Sequence, residues 1–142
     1  MREVTAGLFV ADIQQAGDRA RYDAHAITNA IKLTHDPPET GYPPEVTVHD
    51  FAMMDGPRND QVILQRAVAT AVEQLAAGGQ VMIHCSAGAS RSVAVAAATI
   101  AVRQDSHFET GLDAIRERLS PTLHPSVREN AVTAVESLRE ES

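Results

Sequence analysis

Short apolar runs and longer stretches of helical period alternate along the chain. Thr5 to Val10 alternates loosely and reads as a strand, with Asp12 to Ala20 forming a short helix after it. Ala26 to Leu33 is a second apolar run, ended by Thr34-His35-Asp36-Pro37-Pro38. The prolines there and at Pro43-Pro44 force an irregular loop, and a third strand is predicted from about Glu45 to Phe51. From Asn59 or Asp60 to Ala77, the apolar positions Leu64, Val68, Ala71 and Leu75 fall at helical spacing, and Gly78-Gly79 supplies a stop. Val81-Met82-Ile83 is then a buried strand, and Val93 to Val102, almost wholly apolar, a buried helix. Phe108, Leu112, Ile115 and Leu119 mark a further helix, and Ser126-Val127-Arg128-Glu129 reads as a capping box opening a last one through about Leu138.

Strands alternating with helices imply an α/β fold: a single domain over residues 1–142, with a central, mostly parallel sheet and helices on both faces. No repeat, low-complexity stretch or linker divides it. No apolar run reaches the roughly 18 residues of a membrane span, and Met1-Arg2-Glu3-Val4-Thr5 lacks a signal-peptide pattern, so a cytoplasmic protein is expected.

Charge narrows the partners. The net charge is −7, Lys32 is the only lysine beside eleven arginines, and aromatic residues make up 4%. This resembles the proteins of salt-accumulating, halophilic archaea; the alternative is a merely acidic bacterial chain. A net negative field disfavours nucleic acid and anionic membranes as partners. His25, His35, His49, His107 and His124 show no ligand spacing and read as scattered surface residues, so neither a metal nor another cofactor is expected.

The candidate chemistry lies in His84-Cys85-Ser86-Ala87-Gly88-Ala89-Ser90-Arg91-Ser92, between the buried strand and the buried helix. A short, small-sided turn at a helix start points successive backbone N–H groups inward and adds the positive end of the helix dipole, which suits a dianion. Cys85, the only cysteine, has no partner for an internal disulfide and is either an apolar filler or a reactive group. At the base of such a field the thiolate, the nucleophilic form, is favoured. Arg91 offers a planar fork for two phosphate oxygens.

This segment resembles the His-Cys-x5-Arg-Ser/Thr signature of the cysteine-dependent protein phosphatases, in the form used by the dual-specificity group. Gly7-Leu8-Phe9-Val10, Ala26-Ile27-Thr28-Asn29-Ala30-Ile31 and Pro121-Thr122-Leu123-His124-Pro125 resemble further segments of that family, so the likeness covers most of the chain. The resemblance implies a phosphatase that hydrolyses phosphomonoesters, phosphoserine, phosphothreonine and phosphotyrosine in proteins, through a phosphocysteine intermediate.

Such a mechanism needs an acid for the leaving oxygen. Asp55, in the Gly/Pro-containing Met54-Asp55-Gly56-Pro57-Arg58 loop upstream of Cys85, resembles the family's general acid. Asp60, alternatively a helix-start charge, and Asp50, alternatively a strand-end residue, remain candidates. Ser86, Ala87, Gly88, Ala89, Ser90 and Arg91 would hold the phosphate, with backbone amides doing most of the work because the side chains are small and neutral. The resemblance gives His84 a role in ordering the loop and tuning the thiol. Ser92 is placed to donate to the Cys85 sulfur or to cap the helix. Lysines suited to highly phosphorylated inositol lipids are absent from the loop. A phosphate-binding module without useful turnover is a second reading, and a sulfurtransferase a third. Tyr22 and Tyr42 either line a substrate-facing edge or pack in the interior.

Overall fold

The computed structural model describes residues 1–141. Its strands are β1 (Arg2–Thr5), β2 (Leu8–Ala11), β3 (Asn29–Lys32), β4 (Thr47–Asp50) and β5 (Val81–His84). Its helices are α1 (Arg19–His25), α2 (Gln61–Ala76), α3 (Arg91–Arg103), α4 (Phe108–Arg116) and α5 (Pro125–Glu140). The strands form one sheet in the order β1-β2-β5-β3-β4, with β1 antiparallel to β2 and every other pairing parallel. This is the expected mostly parallel α/β sheet.

Alternation along the central strands explains the two layers. Leu8, Val10, Ile31, Val81 and Ile83 face α2, α3, α4 and α5, whereas Phe9, Ala30 and Met82 face Tyr22, Ile27 and Val46 on the side of α1. Helices therefore cover both faces, but unequally. The middle helix α3 is buried from Ser92 to Ala101, and its alanines let its neighbours approach closely. Gly111 of α4 sits so near that a Cβ there would lie 2.0 Å from the Ala97 carbonyl oxygen.

Three local expectations change. The first strand is a hairpin, β1 and β2 joined at Ala6-Gly7, with Gly7 at φ 81° in a conformation that glycine adopts without a steric penalty. The single helix expected over 12–20 is a 3₁₀ turn at Gln15–Gly17 followed by α1, because the Asp18 side chain accepts from the Ala20 amide and caps a new helix. The last helix starts at Pro125, not at a Ser126 capping box. His124 is its cap, with the ring nitrogen Nδ1 accepting from the Ser126 amide at 3.1 Å, and Pro125 supplies a first-turn residue that needs no donor.

Candidate active site

The four parallel strands end on the same side, where open α/β sheets place their sites. From β5 the chain enters Cys85–Ser90 and then α3, so the nucleophile candidate sits at the strand end and Arg91 at the helix start. Gly88, at φ 71°, turns the loop tightly against the end of β2: a Cβ there would meet the Ala11 carbonyl at 3.1 Å. The loop is pinned on that side by the Ile13 amide, which donates to the Ser86 carbonyl at 3.3 Å.

Cys85 is buried, with 3% of its surface exposed. Its Sγ lies 3.1 Å from Ser92 Oγ and accepts from the Gly88 amide at 3.3 Å. Among the described residues, the amides of Ser86, Ala87, Ala89, Ser90 and Arg91 donate to no other protein atom. The loop between Cys85 and the start of α3 thus carries five backbone donors without a protein partner, the kind of group a tetrahedral anion can use.

Arg91 is held from behind. Its Nη1 donates to the Met53 carbonyl at 2.9 Å and to the Leu33 carbonyl at 3.4 Å, while Nη2 donates to Ser86 Oγ at 3.1 Å. The ends of β3 and β4 therefore fix the plane of the guanidinium, limiting the side-chain freedom lost on meeting a ligand.

The three acids separate by partner. Asp60 caps α2, accepting from the Val62 and Ile63 amides at 2.9 and 3.2 Å. Asp50 pairs with Lys32 and accepts from the Ala52 amide. Asp55 alone of the three touches the loop around Cys85, its Oδ1 accepting from Ser90 Oγ at 2.8 Å. The Ser90 side chain thus ties the Asp55 loop to the loop that follows Cys85.

His84 lies behind the loop, fully buried, with Nε2 2.6 Å from the Tyr42 hydroxyl. Burial, and next the charge of Lys32, pushes its imidazole down to about 4; an interaction with the Cys85 backbone opposes the shift. It is neutral at neutral pH. Burial also pushes the Tyr42 phenol well above its ordinary value, so it stays protonated. Tyr42 is a half-buried partner of His84, whereas Tyr22 is buried and donates to the Ala16 carbonyl at 2.5 Å.

Two supports were not visible in the sequence pattern. Lys32 is buried, with Nζ donating to the carbonyls of Thr34 and His35 at 2.5 and 2.9 Å and to Asp50 Oδ1 at 3.2 Å. It closes the turn after β3. Not all of the histidines expected at the surface stand idle: His49 bonds Asn29 at 3.0 Å, and His124 caps α5. Among the described residues no three His, Cys, Asp or Glu side chains gather as a metal-holding group, and no helix is long and apolar enough to cross a membrane.

The fold as a whole is that of the dual-specificity phosphatases. The human dual-specificity phosphatase DUSP28 superposes with a TM-score of 0.88 at 20% identity, each chain covered in full. PTPMT1, solved in complex with PI(5)P, superposes at 0.80 with 17% identity over 99% of this chain and 97% of its own. In sequence, Dual specificity protein phosphatase 1B of Arabidopsis thaliana is 24% identical over 123 residues, covering 83% of this chain and 71% of the plant protein. No protein-family model matches the chain.

Proposed function

We propose that this chain is a metal-independent, cysteine-dependent phosphatase of the dual-specificity type, acting on phosphoserine, phosphothreonine and phosphotyrosine in proteins. The observation that carries the reading is the meeting of Ser92 Oγ and the Gly88 amide at Cys85 Sγ, in a loop whose other amides have no protein partner and whose Arg91 is braced by Met53 and Ser86. The resemblance to phosphatases in sequence and fold supports the same chemistry.

In this reading the Cys85 thiolate attacks phosphorus in line, forming the S–P bond as the P–O bond to the leaving group breaks. Asp55 gives its proton to the departing oxygen. The Arg91 guanidinium and the amides of Ser86, Ala87, Ala89, Ser90 and Arg91 hold the equatorial oxygens as charge builds on them, while the Gly88 amide stays with the sulfur until the phosphoryl group arrives. Water then attacks the phosphocysteine; the Asp55 carboxylate takes its proton, the S–P bond breaks, and Ser92 donates to the sulfur that leaves as thiolate. His84 and Tyr42 fix the strand end from which Cys85 projects.

The loop side chains favour an ordinary phosphomonoester over a polyphosphorylated headgroup, since Ser86, Ala87, Ala89 and Ser90 add no positive charge. With a chain of net charge −7, nucleic acid is not among the proposed substrates.

The purified chain should hydrolyse p-nitrophenyl phosphate in the presence of EDTA, and Cys85→Ser should abolish turnover while leaving the fold intact by circular dichroism. Arg91→Ala should lose on the order of 100-fold or more in kcat/KM. Binding of phosphopeptide without hydrolysis by the unaltered chain would make it a phosphate-binding module. Normal activity in Cys85→Ser would rule out the mechanism.

A further inference from the structure

The loop from Met53 to Asp60 joins β4 to α2 and bends at Asp55-Gly56, its apex, and in the reading above Asp55 must serve the group bound at Cys85. Its base is well tied: Arg91 donates to the Met53 carbonyl, and Asn59 Nδ2 donates to the Met54 carbonyl at 2.7 Å. From α5, Asn130 Nδ2 donates to Asn59 Oδ1 at 2.9 Å and to its carbonyl at 3.1 Å. The apex has a different support. Gly56 is buried although Asp55, Pro57 and Arg58 around it are exposed. What covers it is the His124 ring: a Cβ on Gly56 would lie 3.7 Å from Nε2 and 3.9 Å from Cδ2.

His124 reaches the same apex by a second route. Its backbone amide donates to Ser90 Oγ at 3.3 Å, and Ser90 Oγ donates to Asp55 Oδ1 at 2.8 Å. With the serine oxygen accepting from His124, its one proton is directed at the carboxylate. The ring itself is held, because Nδ1 accepts from the Ser126 amide and Pro125 follows in the first turn of α5. In the neutral tautomer this bond demands, the Nε2–H edge faces the acid loop.

We infer that His124 is a positioning residue for Asp55, a strut through which the start of α5 sets the distance between the acid and the phosphate loop. The inference rests on the reading of Asp55 as leaving-group acid. A strut for the acid matters only where the leaving group needs a proton, which separates this role from helix capping.

The test compares kcat/KM on two esters. Phenyl phosphate loses a phenolate of high basicity, close to that of a tyrosine side chain, whereas the nitro group of p-nitrophenyl phosphate makes its phenolate leave readily. His124→Ser keeps an oxygen acceptor for the α5 cap and removes the ring. It should lose about tenfold on phenyl phosphate, part of the hundredfold or more a general acid contributes, and less than about twofold on p-nitrophenyl phosphate. Its melting temperature should stay near that of the unaltered chain. Unchanged kcat/KM on both esters, or an equal proportional loss on both, would overturn the inference. Asp55→Asn is run beside it. If that variant shows the leaving-group split and His124→Ser does not, the strut alone fails; if Asp55→Asn shows no split, the acid assignment and the strut fall together.

Discussion

Burial of a neutral His84 makes the fold sensitive to mild acid. In the unfolded chain the imidazole has its ordinary value of 6.5, while in the folded protein it lies at about 4. Below 6.5 the unfolded state binds a proton that the folded state refuses, so stability is complete above that value and is lost as the pH falls toward 4. At about 1.4 kcal/mol per pH unit the loss amounts to roughly 3 kcal/mol over the whole window and about 2 kcal/mol by pH 5. Total stabilities of single domains are about 5–15 kcal/mol, so this one group accounts for a substantial fraction. His49, also pushed down by burial, adds in the same direction. The measurement is urea unfolding followed by circular dichroism at pH 7, 6 and 5, on the unaltered chain and on His84→Gln. The unaltered chain should lose about 2 kcal/mol more than the variant between pH 7 and pH 5. Identical pH dependence in the two proteins would refute the claim that His84 is held neutral by its surroundings.

Further outcomes follow from other parts of the molecule. Ser92→Ala removes the hydroxyl 3.1 Å from Cys85 Sγ and should slow breakdown of the phosphocysteine more than its formation, seen as a burst of nitrophenol in stopped-flow mixing; a proportional fall in both phases would contradict this role. Asp60→Ala removes the α2 cap and should cost about 1 kcal/mol in unfolding experiments with no preference between phenyl and p-nitrophenyl phosphate. Gly111→Ala brings a methyl into the Ala97 carbonyl and should lower stability by about 1–3 kcal/mol, read as a fall in melting temperature without a change in the ratio of activities on the two esters.

What could be read in advance was chemistry confined to a short stretch or to regular spacing. Cys85 to Ser92 is contiguous, Leu64, Val68, Ala71 and Leu75 repeat at helical spacing, and Val93–Val102 is an almost unbroken apolar run, so the Cys85 loop and the helices before and after it follow from local pattern. Local pattern leaves three aspartates as candidates for an acid, and only their partners distinguish them: Asp60 on its own helix, Asp50 on Lys32, Asp55 on Ser90. Tyr42 and His84 are far apart in sequence, and nothing in either neighbourhood announces their bond. The same holds for Arg91 with Leu33 and Met53, since a carbonyl acceptor is present at every residue and only topology selects one. Ser126 and Glu129 match a capping box, yet the preceding His124-Pro125 pair caps α5 through a less common residue, so local pattern sets the start of α5 too late.

The burial of Lys32 has a practical side. It is the only lysine and Cys85 the only cysteine, so the chain carries one side-chain amine and one thiol, and the amine is shut beneath the turn that it holds. Acylating reagents and amine-directed crosslinkers find no lysine on the outer surface. Modification of Lys32 must wait for that turn to open, so its acylation rate clocks local unfolding beside β3, while alkylation of Cys85 reports independently on access to the loop between β5 and α3.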